Sequence, residues 1–213
     1  MKLLAATRSA GKQREFRRVL EPAGIELVFP DDVGLSPTQA ETILELGETF
    51  EANARRKAEH FARLGGWPTV ADDSGLEVFS LGGAPGVRSR RWAGGSGSDA
   101  EVDAANNAEL VRRLAGATGT RRAARYRCVL VYLSKQGAVP QMFEGSCAGR
   151  IVEQPKGEGG FGYDPYFLSD ELGKTFGEAS PAEKDAVSHR GRALRELATA
   201  LGAVPDPRSP LPS

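Results

Sequence analysis

Two adjacent acids at the end of an apolar stretch are the first residues whose types suggest chemistry. The run VADDSG places Asp72 and Asp73 after a pattern typical of a buried strand, and Glu45 lies shortly before an apolar helix pattern. Such carboxylates suit a hard cation, because Mg²⁺ takes one or two carboxylates and leaves positions for water and phosphate oxygens. Asp-Ser-Gly is also a common turn signal, so a purely structural interpretation of this stretch stays open.

A lysine inside an apolar helix face is the second such feature. In TFEANARRKAEHFARL, the apolar stripe at helical spacing also contains Asn53 and Lys57. An inward lysine must pair with an anion or line a polar site, since burying an isolated ammonium is very unfavourable. The alternative is that Lys57 reaches the surface along its aliphatic stem. His60, on the flank of the same helix, is expected to be a surface or boundary residue.

The segment ATRSAGK joins a predicted strand to a predicted helix and carries Gly11 and Lys12 at the turn. It is not a Walker A loop, which requires an earlier glycine and a following Ser or Thr. Backbone N–H groups at a helix start, together with a lysine, nevertheless suit a phosphate. We therefore expect this segment to contact an anionic substrate.

The stretch PKGEGGFGYDP has Gly157, Gly159 and Gly162 at the spacing of a dinucleotide-binding fingerprint. Such a fingerprint must open a helix, whereas Pro165 disfavours helical geometry at Asp164 and no amphipathic pattern follows. We therefore do not interpret it as a Rossmann loop. An aromatic face with a carboxylate acceptor fits a nucleobase pocket instead, and a Gly-rich hairpin with a core Phe explains the segment equally well. Further along, EKDAVSHRG adds a dense group of hydrogen-bond donors: Lys184, Ser188, His189 and Arg190.

The elements around these motifs predict an α/β protein with a mixed sheet, because helices and strands mix without strict βαβ alternation. Strands are predicted over 2–7, 25–29, 124–133 and 138–152, and PTVADDSGLEVF is predicted as strand, turn, strand. Helices are predicted over 11–24, 49–64 and 99–114, from Ser180, and after Ser188.

Composition excludes several classes of protein. Lys+Arg and Asp+Glu are both 28, so the formal net charge is zero, which argues against a binder of polymeric nucleic acid or of membrane surfaces. The apolar run at the N-terminus is too short for a signal peptide or a membrane span. Cys128 and Cys147 form no CxxC pair and are expected as free thiols of a cytoplasmic protein. We expect one two-lobed domain over 1–203 and a disordered Pro- and Ser-rich tail over 204–213.

In chain order, these motifs resemble those of the inosine/xanthosine triphosphate pyrophosphatase family, which removes deaminated purine nucleotides. The matching stretches run from Thr7 to about Leu197: ATRSAGK, ELGETFEANARRKA, VADDSGLEV, LGGAPGVRSRRWAG, GEGGFGYDPYF and EKDAVSHRGRAL. The resemblance implies an elongated mixed β-sheet with flanking helices, forming two lobes around a central cleft, usually in a homodimer. It also implies Mg²⁺-dependent hydrolysis of ITP, dITP or XTP to monophosphate and pyrophosphate, which keeps these bases out of DNA and RNA.

The resemblance further implies a role for each matching residue. It assigns the metal to Glu45 and Asp73 and the base to Asp73, with Asp72 and Lys57 in support of the site. From the residues alone, either Asp73 or Asp72 could be the base, and Lys12 and Lys57 would neutralise charge on the leaving pyrophosphate. The residues expected to contact the substrate are Thr7, Arg8, Ser9, Ala10, Gly11, Lys12, Asn53, Ser74, Phe161, Gly162, Tyr163, Asp164, Lys184, Ser188, His189 and Arg190.

One position departs from the family pattern: Ser9 stands where the family usually has Asn. Serine is shorter and has one donor fewer, so we expect a weaker phosphate contact but no loss of activity. Two rival functions remain in view, a pyrophosphatase for modified pyrimidine nucleotides and a non-catalytic nucleotide- or RNA-binding module. The FGYDP and SHRG segments argue against the first, and the set of carboxylates with Lys57 argues against the second.

Overall fold

The computed structural model describes residues 1–203, which fold as an α/β protein. The strands are β1 Lys2–Ala5, β2 Glu26–Val28, β3 Thr69–Val78, β4 Ala123–Leu133, β5 Gln141–Ile151 and β6 Phe167–Ser169. The helices are α1 Ala10–Leu20, α2 Phe50–Gly65, α3 Asp99–Arg113, α4 Pro181–Val187 and α5 His189–Ala200. The predicted tail over 204–213 lies outside the described residues.

The strands form one mixed sheet in the order β2-β1-β3-β4-β5-β6. β1 runs parallel to both of its neighbours, with Leu4 opposite Val28 on one side and Thr69 on the other. β6 pairs antiparallel with β5. The predicted α/β class with a mixed sheet is therefore confirmed.

The predicted turn at Asp-Ser-Gly is wrong, because β3 is one continuous strand through this stretch. β3 lies between β1 and β4 and is buried along most of its length. Its backbone groups therefore find partners in the sheet, and its flanking residues Val70 and Leu76 are fully buried. Sheet pairing and burial outweigh the local turn preference here. As a result, Asp72 and Asp73 are held by regular strand geometry.

The described chain forms two compact units, of which unit 1 comprises Met1–Asp73, Cys128–Gly145 and the chain from His189 onward. Its core contains Phe16 and Leu20, one turn apart on α1, and Leu194 and Leu197 of α5, which packs against α1. α2 begins after Thr49, whose hydroxyl accepts a hydrogen bond from the Ala52 backbone N–H at 3.1 Å.

Unit 2 comprises Ser74–Arg127 and Ser146–Ser188. Its core contains Leu110 and Leu114 near the end of α3, and Phe167 and Phe176 from the last strand and the segment after it. α4 follows Ser180, as predicted, and starts with a capping box, in which the Ser180 hydroxyl and the Glu183 carboxylate each accept a hydrogen bond from the other residue's backbone N–H.

The G-x-G-x-x-G stretch opens no helix. Residues 162–166 form a turn that leads into β6. The decision against a Rossmann loop is therefore confirmed.

Candidate active site

The phosphate-binding candidate Thr7–Lys12 connects β1 to the first turn of α1. The Thr7 hydroxyl accepts a hydrogen bond from the Ser9 backbone N–H at 3.2 Å, and the Gln13 side chain donates to the Thr7 carbonyl at 3.1 Å. The loop is thus fixed from within. The Ser9 side chain makes no capping bond to the helix. Ala10 and Gly11 begin α1, where unpaired N–H groups favour an anion.

Arg8 points away from this helix start and holds a different segment. Its guanidinium forms a bidentate pair with Glu41 at 2.9 and 3.0 Å and donates to the Leu35 carbonyl at 2.7 Å. It also pairs with Asp31. The arginine therefore ties the phosphate-loop candidate to residues 31–41 of unit 1.

Asp72 is completely buried and faces two cations. Its Oδ2 lies 2.9 Å from Lys12 Nζ and 3.2 Å from Arg190 Nε. Burial alone would raise the pKa of Asp72, but the charges of Lys12, Arg190 and Lys57 hold that pKa well below its usual range. Arg190 also pairs with Glu15, a buried acid of α1. Asp72 is thus a permanent anion that orients the Lys12 ammonium.

Asp73 has a different environment and a different pKa. Its Oδ2 accepts a hydrogen bond from Asn53 Nδ2 at 2.8 Å. Burial raises the pKa of Asp73 to about 6. The charges of Lys57 and Lys12 oppose this increase, and the charge of Glu45 adds to it. The pKa values of the two neighbouring carboxyl groups therefore differ: Asp72 is the stronger acid and Asp73 the weaker one. A carboxylate that titrates near neutral pH can take a proton during a reaction.

Lys57 of α2 confirms the expectation that an inward lysine needs an anion. Its Nζ lies 2.5 Å from Glu45 Oε1. Burial opposes the charge on Lys57, but Glu45, Asp72 and Asp73 outweigh it and raise the lysine pKa. The Lys57 charge in turn lowers the pKa of Glu45 to about 2. Lys57 is therefore a fixed cation among carboxylates, and the alternative of a surface lysine is wrong.

Asn53 joins the two candidate metal ligands, and it is fully buried. While its Nδ2 donates to Asp73, its Oδ1 accepts from the Gly47 backbone N–H at 2.7 Å. Gly47 lies two residues after Glu45 and has no room for a side chain, because an added Cβ would come within 2.5 Å of Asn53 Oδ1. Asn53 thereby fixes the Glu45 segment relative to β3.

These side chains form one charged cluster within unit 1. When all are ionised, four carboxylates face three cations and one negative charge is in excess; the members are Glu15, Glu45, Asp72 and Asp73 with Lys12, Lys57 and Arg190. Because of this excess negative charge and the raised pKa of Asp73, we expect an added cation to stabilise the site.

The donor set fits Mg²⁺ in type. Glu45 and Asp73 offer hard carboxylate oxygens, and the Glu45 side chain is 35% exposed to solvent. Residues 1–203 contain no group of three or more His, Cys, Asp or Glu side chains arranged to hold a metal. A site that depends on two carboxylates and on substrate oxygens is what Mg²⁺ commonly uses.

In unit 2, a buried ion pair closes the segment 160–164, which overlaps the turn over 162–166 and is called the 160–164 turn below. Lys184 Nζ lies 2.5 Å from Asp164 Oδ2, and the same oxygen accepts the Phe161 backbone N–H at 2.8 Å. The Lys184 ammonium also lies 4.8 Å from the centroid of the Phe161 ring. The Tyr163 hydroxyl donates to the Ser89 carbonyl at 2.8 Å, and burial raises the pKa of that phenol. The structure therefore brings Phe161, Tyr163, Asp164 and Lys184 together.

The remaining predicted residues lie next to these groups in the chain. Ser74 follows Asp73 in β3 and is partly exposed, and Ser188 is the residue between α4 and α5. His189 and Arg190 begin α5 in unit 1, where the Arg190 guanidinium is engaged by Glu15 and Asp72.

Sequence reasoning missed some residues of this region and misplaced one. Glu15 lies beside Phe16 on the buried side of α1 and could have been found as an inward polar residue, as Lys57 was. Asp103 and Asn107, one turn apart on α3, bind the Gly162 backbone and were also missed. His60 was expected at the surface or at the boundary of the core, but it is buried, and this burial lowers its pKa.

No helix within residues 1–203 is both long enough and apolar enough to cross a membrane.

Comparison with known proteins gives a consistent result. The Ham1 family profile matches residues 3–200. A dITP/XTP pyrophosphatase of Ralstonia nicotianae is 45% identical over 201 residues, covering 94% of this chain and 96% of the relative. A dITP/XTP pyrophosphatase of Mycolicibacterium paratuberculosis is 47% identical over 203 residues, covering 93% and 95%. The structure of a HAM1 protein from Coxiella burnetii superposes with a TM-score of 0.81 at 33% identity, covering 96% of this chain and all of that one. With its mixed sheet, its charged cluster and a family match over nearly the whole length, this chain belongs to the Ham1 family.

Proposed function

We propose that this protein hydrolyses deaminated purine nucleoside triphosphates, namely ITP, dITP and XTP, to the monophosphate and pyrophosphate. The observation that carries the proposal is the charged cluster of unit 1, in a chain whose near-full-length relatives are named dITP/XTP pyrophosphatases. Binding alone would not require a buried carboxylate of raised pKa beside fixed lysines, whereas hydrolysis requires a base and charge stabilisation.

The family resemblance implies attack of water on the α-phosphorus, and we assign this step to the charged cluster. Asp73 orients that water and accepts its proton; with a pKa of about 6 it is mostly ionised at neutral pH. Asn53 holds the Asp73 carboxylate in place through its 2.8 Å hydrogen bond. Mg²⁺, when held by Glu45 and Asp73, supplies positive charge to the triphosphate oxygens.

The lysines stabilise the leaving pyrophosphate. Lys57 is kept charged by its carboxylate neighbours, and Lys12 is oriented by Asp72. Fixed cations aimed at developing negative charge need no reorganisation during the reaction, which is why they lower its barrier. Arg190 contributes indirectly in this proposal, since it pairs with both Asp72 and Glu15 and so compensates the buried charge of Asp72.

Base selection is assigned to the 160–164 turn together with Lys184. Phe161 offers a ring for stacking, which accepts any base, so selectivity comes from hydrogen bonds. A donor facing C6 donates to the carbonyl oxygen of hypoxanthine or xanthine but opposes the amino group of adenine. A donor near C2 tolerates hypoxanthine and suits xanthine but opposes the amino group of guanine. Each mismatch costs ~1–3 kcal/mol.

A pyrophosphate-release assay with Mg²⁺ and a panel of nucleotides tests the proposal. We expect kcat/KM for ITP, dITP and XTP to exceed that for GTP and ATP by about 10²-fold or more, and EDTA to abolish turnover. Equal kcat/KM for ITP and GTP would refute the purine selectivity. Faster hydrolysis of a modified pyrimidine triphosphate would favour the first rival, and absence of turnover with every nucleotide would favour a binding module.

Two further parts of the proposal concern the assembly and the compartment. Cys128 and Cys147 are both free and buried, as suits a reducing compartment, so we propose a cytoplasmic protein. We also propose the homodimer that the family resemblance implies, which light scattering on the purified protein tests directly.

A further inference from the structure

The backbone of Gly162 is held on both of its polar groups by one helix. Asp103 Oδ2 accepts a hydrogen bond from the Gly162 N–H at 2.7 Å, and Asn107 Nδ2 donates to the Gly162 carbonyl at 2.9 Å. The two side chains lie four residues apart on α3 and therefore share one face. We call this pair the α3 clamp.

Gly162 has no side chain that could hold it in place. Its φ is +64°, a conformation that favours glycine, and a Cβ built on it would meet no heavy atom within 4 Å. Side-chain packing therefore does not define the position of this residue. Directional hydrogen bonds from a rigid helix can define it, and α3 itself is anchored in the core of unit 2 by Leu110.

The neighbours of Gly162 are the residues assigned to the base. Phe161 precedes it, and Asp164 accepts the Phe161 N–H at 2.8 Å while pairing with Lys184 at 2.5 Å. A displacement of the Gly162 peptide would move the Phe161 ring and tilt the Asp164 backbone. Binding constellations require positions within about 0.5 Å, which helices supply better than loops.

We propose that Asp103 and Asn107 are positioning residues for the recognition of the deaminated bases hypoxanthine and xanthine, acting through the Gly162 peptide. The inference rests on the proposed function of the 160–164 turn. Neither residue contacts the substrate in this proposal; they set where the stacking ring and the selective hydrogen bonds lie.

The state of Asn107 supports a role beyond stability. Its Oδ1 is buried and has no hydrogen-bond partner among residues 1–203, which is unfavourable for folding. Leucine, of similar size, would remove that buried oxygen together with the donor to Gly162. The carbonyl of Gly162, a partly exposed residue, could then be hydrated. Asn107→Leu should therefore change the melting temperature little while releasing the turn.

The test compares Asn107→Leu and Asp103→Leu with Asp103→Asn. Asp103→Asn is the matched control, because the amide oxygen can still accept the Gly162 N–H although the 3.4 Å ion pair with exposed Arg90 is lost. For both leucine variants we expect KM for ITP to rise about five- to twentyfold, kcat to stay within about threefold, and the ITP/GTP ratio of kcat/KM to fall by a similar factor. Asp103→Asn should stay within about threefold of wild type.

Several outcomes would overturn the clamp. The proposal is refuted if the leucine variants leave KM for ITP unchanged, or if they lower kcat/KM equally for ITP and GTP. It is also refuted if Asp103→Asn lowers kcat/KM as much as Asp103→Leu does. If Asn107→Leu does not fold, Asn107→Ser removes the reach to Gly162 with less change in packing and is judged by the same readouts. A wild-type enzyme that does not distinguish ITP from GTP refutes the proposed function itself, whereas a selective wild type with unaffected variants refutes only the clamp.

Discussion

Replacing Gly47 by alanine should impair the active site without touching any catalytic group. The added Cβ would lie 2.5 Å from Asn53 Oδ1, where ordinary contact needs about 3.4 Å, so the amide must move by roughly 0.9 Å. Gly47 is not among the glycines with positive φ, so alanine is not strained at this position by its backbone. The effect therefore comes from Asn53 alone.

The size of the effect follows from the bonds that Asn53 makes. A shift of that size breaks the partly buried 2.7 Å bond from the Gly47 N–H or the buried 2.8 Å bond to Asp73. One such bond, when its partner is left unsatisfied, is worth ~1–3 kcal/mol. If the loss appears in the transition state, kcat/KM falls about five- to 150-fold.

A double-mutant cycle measures this directly. Gly47→Ala, Asn53→Ala and the double variant are compared for kcat/KM with ITP. In the Asn53→Ala background the Oδ1 atom is gone and the added Cβ no longer clashes, so Gly47→Ala should have almost no further effect on kcat/KM. Gly95→Ala, whose Cβ would meet Ala105 at an ordinary 3.4 Å, is the matched control and should match wild type.

A result in which Gly47→Ala is equally damaging in both backgrounds would refute the reasoning. It would show that the loss does not act through Asn53, since Ala52 and Arg56 lie at an ordinary 3.4 Å from the added Cβ.

Three further predictions concern Asp73, Lys57 and Cys128. Asp73→Asn should lower kcat by ~10²–10⁴ because the amide cannot accept a proton; activity within about tenfold of wild type would contradict it. Because the folded pKa of Asp73 is raised from 3.8 to about 6, its contribution to stability is present below pH 3.8 and lost as pH rises through 6. Metal-free Asp73→Asn should therefore unfold in urea at a higher midpoint than wild type at pH 8, and the advantage should vanish near pH 4. Lys57→Met should lower kcat by about 10²-fold or more, with partial recovery in Lys57→Arg; full activity per folded molecule would show that the lysine is structural. Burial raises the pKa of the Cys128 thiol to about 12, so it should react with a thiol reagent at pH 8 only after unfolding, and rapid reaction of the native protein would contradict its burial.

The features that the sequence predicted well are those with a periodic signal or a polar residue in the wrong place. Lys57 was predicted to face anions because it interrupts an apolar helix stripe, and the structure pairs it with Glu45. The dinucleotide interpretation fails because Pro165 disfavours the helix that it needs, and the structure has a turn there. In both cases local chemistry constrains the answer.

The features that were not predicted depend on contacts between distant parts of the chain. The turn expected in VADDSG is a strand because β1 and β4 flank it, which no local pattern reveals. Arg8 holds Glu41, 33 residues away, and Asp103 holds Gly162, 59 residues away. Polar residues of this kind look like ordinary surface charges until the fold brings their partners to them.

The division of the chain into two units limits how this protein can be taken apart. The chain passes from one unit to the other after Asp73, Arg127, Gly145 and Ser188, and the first three of these passages fall inside β3, β4 and β5. No single truncation therefore yields either unit whole, and a fragment ending at any of these points would leave strand edges exposed. The residues of the charged cluster lie on both sides of the 160–164 turn in the chain, from Lys12 to Arg190, so no single cut separates the whole cluster from the turn.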